Sequence, residues 1–311
     1  MKNSPQRRDF LIKVSSISAV IASGGMLSAC GGNESPMVNF DFGVASGDPL
    51  SDSVILWTHA KFQELTDAVP LSWQVATDLE FTQVVVSGTG QSSSETGYTF
   101  KVDAKGLSPN QTYYYRFKSG LHISPIGKTK TLPTGSVSNV KLAVLSCSNY
   151  PAGFFNVYSE VAKSDVDVAV HLGDYIYEYA ATGYASDNAA SLGRLSVPAN
   201  ELLTLSDYRL RHAQYKSDAD AKQFHASKPM IAVWDDHEFA NDTYKDGAEN
   251  HTPATEGSFA ARKAAAMQAY HEWMPIRTGS DKSKIYRSFN FGNLLSLHML
   301  DTRSLGRDQQ V

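Results

Sequence analysis

Close to residue 135 the chain changes its period. From about 38 to 133, apolar and polar residues alternate in short runs: Val54-Ile55-Leu56-Trp57, Leu71-Ser72-Trp73-Gln74-Val75, then 84–87, 98–102 and 112–118. Turn residues such as Gly47-Asp48-Pro49 and Ser108-Pro109-Asn110 separate them. A period of two with frequent turns predicts a small β-sandwich of immunoglobulin or fibronectin type. After the stretch 133–139 (PTGSVSN), apolar runs alternate with longer amphipathic ones, which predicts an α/β layered domain over 140–311. The strands expected there are 140–145, 166–172 and 230–233. Helices are expected over 154–163, from a Ser206 cap toward Ala219, and over 258–274. A closing hairpin pairs 289–291 with 294–300.

At 311 residues, 42% hydrophobic and 19% charged, the chain is long enough for about two domains. Its net charge of −4 gives no basic surface for nucleic acid. Two cysteines exclude a multiply bridged scaffold. Residues 1–30 read as an address: Arg7-Arg8, then Phe10-Leu11, a modest apolar stretch, and Leu27-Ser28-Ala29-Cys30. This is the pattern of a twin-arginine export signal closed by a lipobox, with Cys30 as the lipidation site and 31–37 as a tether. The implied partners are the twin-arginine translocase and a membrane reached through the N-terminal lipid only. An ordinary cleaved signal is the simpler alternative. Cleavage before Cys30 removes four basic and one acidic residue and leaves the remainder at −7. Cys147 then has no partner in an oxidising compartment.

Three predicted strands of the second domain end in metal-competent residues: Cys147, Asp174 with Tyr177, and Asp236 with His237. In open α/β sheets, ligands bind beyond the carboxyl ends of strands. Each cluster alone has a plain structural reading. A lone Cys is usually a small buried hydrophobe, an Asp at a strand end often caps a helix, and tyrosines pack. Asp235-Asp236-His237-Glu238 resists such a reading, because four adjacent ionisable groups repel one another unless a cation or a catalytic task holds them. Together the set suits two-metal hydrolysis of a phosphate ester, with ions ~3.5–4 Å apart sharing a carboxylate and a His protonating the leaving oxygen. Asp174 suits the bridge, while thiolate and phenolate from Cys147 and Tyr177 favour a trivalent ion such as Fe³⁺.

Several stretches resemble the PhoD-type alkaline phosphatase/phosphodiesterases, within the calcineurin-like metallophosphoesterases. They are 42–49 (FGVASGDP) with 54–58 (VILWT), Ser146-Cys147, 171–178 (HLGDYIYE), 234–238 (WDDHE), 262–277 and Leu300-Asp301-Thr302-Arg303. The resemblance implies a β-sandwich followed by a metallophosphatase α/β/β/α sandwich. It also implies Fe³⁺ and Ca²⁺, other divalent metals being possible, and carries over Cys147, Asp174 and Tyr177 as metal ligands. By analogy Asp236 is a ligand and His237 the catalytic residue, with Asn241 as a competing oxygen ligand. Arg303 is either a phosphate contact or the partner of Asp301 or another carboxylate. The implied activity is hydrolysis of phosphate mono- or diesters for phosphate scavenging in the periplasm or cell envelope. Relatives continue well beyond residue 311, so the second domain reads as C-terminally incomplete. The alternative function is a non-catalytic exported lipoprotein, or an inactive fragment, whose β domain binds a partner.

Overall fold

The computed structural model describes residues 36–64 and 67–310. The export signal, the Cys30 lipobox and nearly all of the tether lie outside the described residues. Strands β1 (Val38–Asn39) and β4 (Lys61–Phe62) pair at the rim, flanking β2 (Val44–Gly47) and β3 (Ser53–His59). Strands β5 (Val69–Ala76), β6 (Val84–Ser92), β7 (Thr99–Lys105) and β8 (Thr112–Ser119) follow, then β9 (His122–Ile123) and β10 (Gly127–Lys130). One antiparallel sheet runs β10-β8-β5-β6, with β9 on β8. The alternation in β8 is strict: Tyr113, Tyr115 and Phe117 are buried, while Thr112, Tyr114 and Arg116 are only partly covered. Those three inward rings meet Val44, Val54 and Leu56 of the facing strands and, with Trp73 and Val75, form the sandwich core.

The second half supplies β11 (Leu142–Leu145), α1 (Asn156–Lys163), β12 (Val168–His171), α2 (Leu205–Ser217), α3 (Ala219–Ser227) and β13 (Pro229–Ala232). After these come a short α4 (Pro253–Glu256), α5 (Phe259–Trp273) and the hairpin β14 (Arg287–Phe291)–β15 (Leu295–Met299). Parallel strands β11, β12 and β13 do not end their sheet at a domain boundary. They continue through β2, β3 and β7, giving the six-stranded order β11-β12-β13-β2-β3-β7. The break in period at 133–139 therefore separates two sequence textures that share one sheet. Asp48, fully buried just after β2, reinforces the seam. It accepts hydrogen bonds from Arg287 Nε (2.8 Å) and Nη2 (2.6 Å) and from the Arg277 backbone (2.7 Å).

β12 and β13 are buried at every position, as parallel strands covered on both faces must be. Their core takes in Tyr158 of α1, Tyr208 and Tyr215 of α2, Phe224 of α3, Met267 and Tyr270 of α5, and Phe289, Phe291 and Met299 of the hairpin. The helix expected to be capped by Ser206 starts two residues earlier. Thr204 is the cap, because Asp207 lies three residues on and completes a capping box: its backbone donates to Thr204 Oγ1 (3.3 Å) and its carboxylate accepts from the Thr204 backbone (2.8 Å). Asp218 then stops α2, two residues short of the expected Ala219, and caps a further helix, α3, by accepting from Asp220 and Ala221 (2.9 and 3.1 Å). Ser258 caps α5 as expected.

Candidate metal centre

β11, β12 and β13 are neighbours in register, so their carboxyl ends deliver Cys147, Asp174 and Asp236-His237 to one edge of the sheet. The backbone turns sharply at two of the three ends. Cys147 (φ 59°) and Asp174 (φ 54°) sit in the left-handed region, which non-glycine residues rarely occupy. Such strain persists only where the surroundings over-determine it, and it concentrates at functional sites. Here the Cys147 and Ser148 amides donate to the Gly173 and Asp174 carbonyls (3.2 and 2.9 Å), locking the first two ends together. Gly173 (φ 109°) locks the second to the third. A Cβ at this position would lie 2.4 Å from the Asp235 amide nitrogen, so only glycine lets the two backbones touch.

Asp174 is the hub. Its Oδ2 lies 3.4 Å from both Cys147 Sγ and the Tyr177 hydroxyl. One ligand atom each from Asp174, Asp236 and His237 fall within 4.8 Å of one another. Asp174 Oδ1 is buried with no hydrogen-bond partner, an expensive state for a carboxylate oxygen unless something charged faces it. Electrostatics point the same way. Burial first, and neighbouring negative charge with it, pushes the pKa values of Cys147, Asp174, Asp236 and Tyr177 all upward. Four acids that resist ionisation together suit a cation, which would reverse each shift at once. Carboxylate, thiol and phenol donors around an orphaned oxygen thus fit a metal ion.

His237 is held toward its protonated form beside this cluster. Burial lowers its pKa, but its hydrogen bond to Glu178 (Nδ1 to Oε2, 2.8 Å) and the charges of Glu178, Asp174 and Asp236 outweigh burial and lift it to about 9. Its ring stacks on Tyr177 with centroids 4.2 Å apart.

Two carboxylates with no role assigned from the sequence organise the centre. Glu178, fully buried, accepts from His237, from the Asn241 backbone (2.7 Å) and from Asn250 (2.8 Å). Glu238 accepts the backbone amides of Asp174 (3.0 Å), Tyr175 (2.6 Å) and Asp235 (2.8 Å). Their only sequence signal is a Glu four residues after Asp174 and another two after Asp236. Asn241 itself donates its side-chain amide to Glu249 (2.9 Å). Arg303 pairs with a carboxylate, and its partner is Asp235: Nε and Nη2 reach Oδ1 and Oδ2 at 2.6 and 3.1 Å, with Asp236 Oδ1 3.3 Å away. Asp301 instead accepts from the Arg303 backbone and from Trp234 Nε1.

Strand ends of one mixed sheet thus gather carboxylates, imidazole, thiol and phenol around an unpaired oxygen, a donor set of the kind that can hold a metal ion. Comparison with known proteins agrees. The family model described as PhoD-like phosphatase matches residues 142–311, and that described as PhoD-like phosphatase, N-terminal domain, matches 26–133. The chain belongs to the PhoD-like phosphatase family. It is 44% identical over 282 residues to alkaline phosphatase D of Bacillus subtilis (strain 168), an alignment covering 87% of this chain and 48% of that protein. A solved structure described as "Structure of PhoD" superposes with a TM-score of 0.79 at 43% identity, covering 87% of this chain and 53% of the other. The chain thus spans about half the length of these relatives.

Proposed function

We propose that the strand-end cluster serves metal-dependent hydrolysis of phosphate mono- or diesters. The observation that carries this reading is the convergence of three separate sequence motifs on Asp174, which touches Cys147 and Tyr177 and lies beside Asp236 and His237. Cys147, Asp174 and Tyr177 would hold one ion, with Fe³⁺ the match for thiolate and phenolate. Asp174 and Asp236, with Asn241 as a further oxygen donor, would hold the second, for which Ca²⁺ suits an all-oxygen set. When bound, such ions supply Lewis acidity and neutralise charge on the phosphoryl group.

The chain's own residues do the rest. Glu178 holds His237 Nδ1, which leaves Nε2 free to give its proton to the departing alcohol oxygen. Arg303, tied to Asp235, orients the third loop. The same reading takes residues 1–30 as the twin-arginine signal and Cys30 as the lipidated residue, so the protein works in the periplasm or cell envelope and releases phosphate there.

Hydrolysis of nitrophenyl phosphate and bis(nitrophenyl) phosphate by the iron- and calcium-loaded chain tests the chemistry. His237→Ala should lower kcat by ~10²–10⁴-fold, as loss of a general acid does, with bound metal unchanged. No turnover above blank in the parent, or parental kcat in the variant, contradicts the proposal.

A further inference from the structure

Four rings border the metal-competent cluster. Tyr177 and Tyr179 lie 4.2 and 5.4 Å from the His237 ring, and Tyr184 closes the group at 6.3 Å from Tyr177 and 5.7 Å from Tyr179. Tyr177 and His237 already have roles in the centre. Tyr184 has none, and it is 61% exposed. Its position is nonetheless firmly built. The Gly183 amide donates to the Ala180 carbonyl (2.8 Å), Ser186 Oγ donates to the Gly183 carbonyl (2.7 Å), and the Ala181 amide is tied to Ala199 (2.9 Å). A Cβ on Gly183 would lie 2.7 Å from Tyr179 Cβ, so the turn closes only with glycine there. A well-fixed turn thus presents a large apolar ring to solvent, nearly parallel (18°) to the Tyr177 ring that contacts Asp174.

We infer that Tyr184, with Tyr179, is a stacking platform for the alcohol side of the ester, and that the preferred substrates carry an aromatic or heteroaromatic ring there. The inference rests on the phosphoesterase reading of the adjoining cluster. A phosphate held at Asp174 and Asp236 leaves its ester group at the edge of the cluster, where these rings stand. Offset stacking on a neutral phenol ring rewards a flat partner and does little for a small flexible polyol. Stacking on these rings selects for shape and leaves the phosphate to the cluster.

Phosphonates test this without turnover. Phenylphosphonate should bind the metal-loaded chain about 5–10-fold tighter than methylphosphonate by calorimetry, the difference expected of one stacking contact. Tyr184→Ala should bring the two within twofold while leaving methylphosphonate affinity unchanged, and Tyr184→Phe should keep the preference. A ring preference below twofold in the parent, or one that survives in Tyr184→Ala, overturns the inference. Nitrophenyl ester turnover on the same samples separates the two readings. A ring preference without turnover keeps the platform and rejects the catalytic reading; turnover without ring preference does the reverse.

Discussion

Gly173→Ala is expected to cost about 2–6 kcal/mol of stability and to abolish metal uptake. Two independent penalties add at this position. The φ of 109° lies where L-residues are strained, at a cost of order 1–3 kcal/mol. The added methyl would stand 2.4 Å from the Asp235 amide nitrogen, 2.6 Å from Asp235 Cβ and 2.9 Å from the Trp234 carbonyl carbon. Two of those atoms are backbone at the end of β13 and cannot rotate away, so the loops after β12 and β13 must part, at the ~1–3 kcal/mol typical of overpacking. Asp174 sits one residue on, and parting the loops pulls it from Asp236 and His237. Denaturant unfolding measures the loss. Gly306→Ala, with nothing within 4 Å of the new methyl, serves as the control and should stay within about 0.5 kcal/mol of the parent. A Gly173→Ala variant as stable as that control contradicts the account of how the strand ends are joined.

Glu238→Ala should be comparably damaging, by about 4 kcal/mol or more. The carboxylate accepts the amides of Asp174, Tyr175 and Asp235, and the residue is 1% exposed. Water cannot readily replace it, and each buried amide left without an acceptor costs ~1–3 kcal/mol. Glu238 is itself under stress: burial first, and then the Asp174 charge, lift its carboxyl to about 8. Evolution of a carboxyl here in spite of that burden makes sense if three donors must be met from one side chain. Glu238→Gln keeps one carbonyl oxygen and the same shape, so it should lose roughly half as much. Far- and near-ultraviolet circular dichroism during denaturant titration reads both effects, and parental stability in Glu238→Ala would refute the role assigned to the carboxylate.

Local period carried most of the fold into view. The strands 140–145, 166–172 and 230–233 and the helix 258–274 correspond to β11, β12, β13 and α5 with ends shifted by one or two residues. The pairing of β13 with β2 did not appear, because an alternating strand reports which face is buried and says nothing about a partner some 180 residues away. The expected cap, Ser206, gives way to Thr204, because Asp207 lies three residues after Thr204 and completes the reciprocal bond. Site residues were legible wherever chemistry is rare by type: a lone Cys, an Asp at a strand end, a His among acids. Glu178 and Glu238 stand inside marked stretches, but their roles were not legible, because the imidazole and backbone amides they bind come together only when the loops fold. For Arg303 the sequence leaves a phosphate contact and a carboxylate partner open, with Asp301 the one named, and only the meeting of two loops selects Asp235. Tyr184 gave no signal, since its importance lies in which rings it faces.

On this reading Asp174 gathers three strand ends around bound metal. Iron and calcium bound per chain, measured by elemental analysis after loading and desalting, test it most directly in the parent beside Asp174→Ala. Metal should stay with the parent and be lost from the variant, with both folded to the same degree by circular dichroism. Equal metal in the two proteins, or none in either, would contradict it.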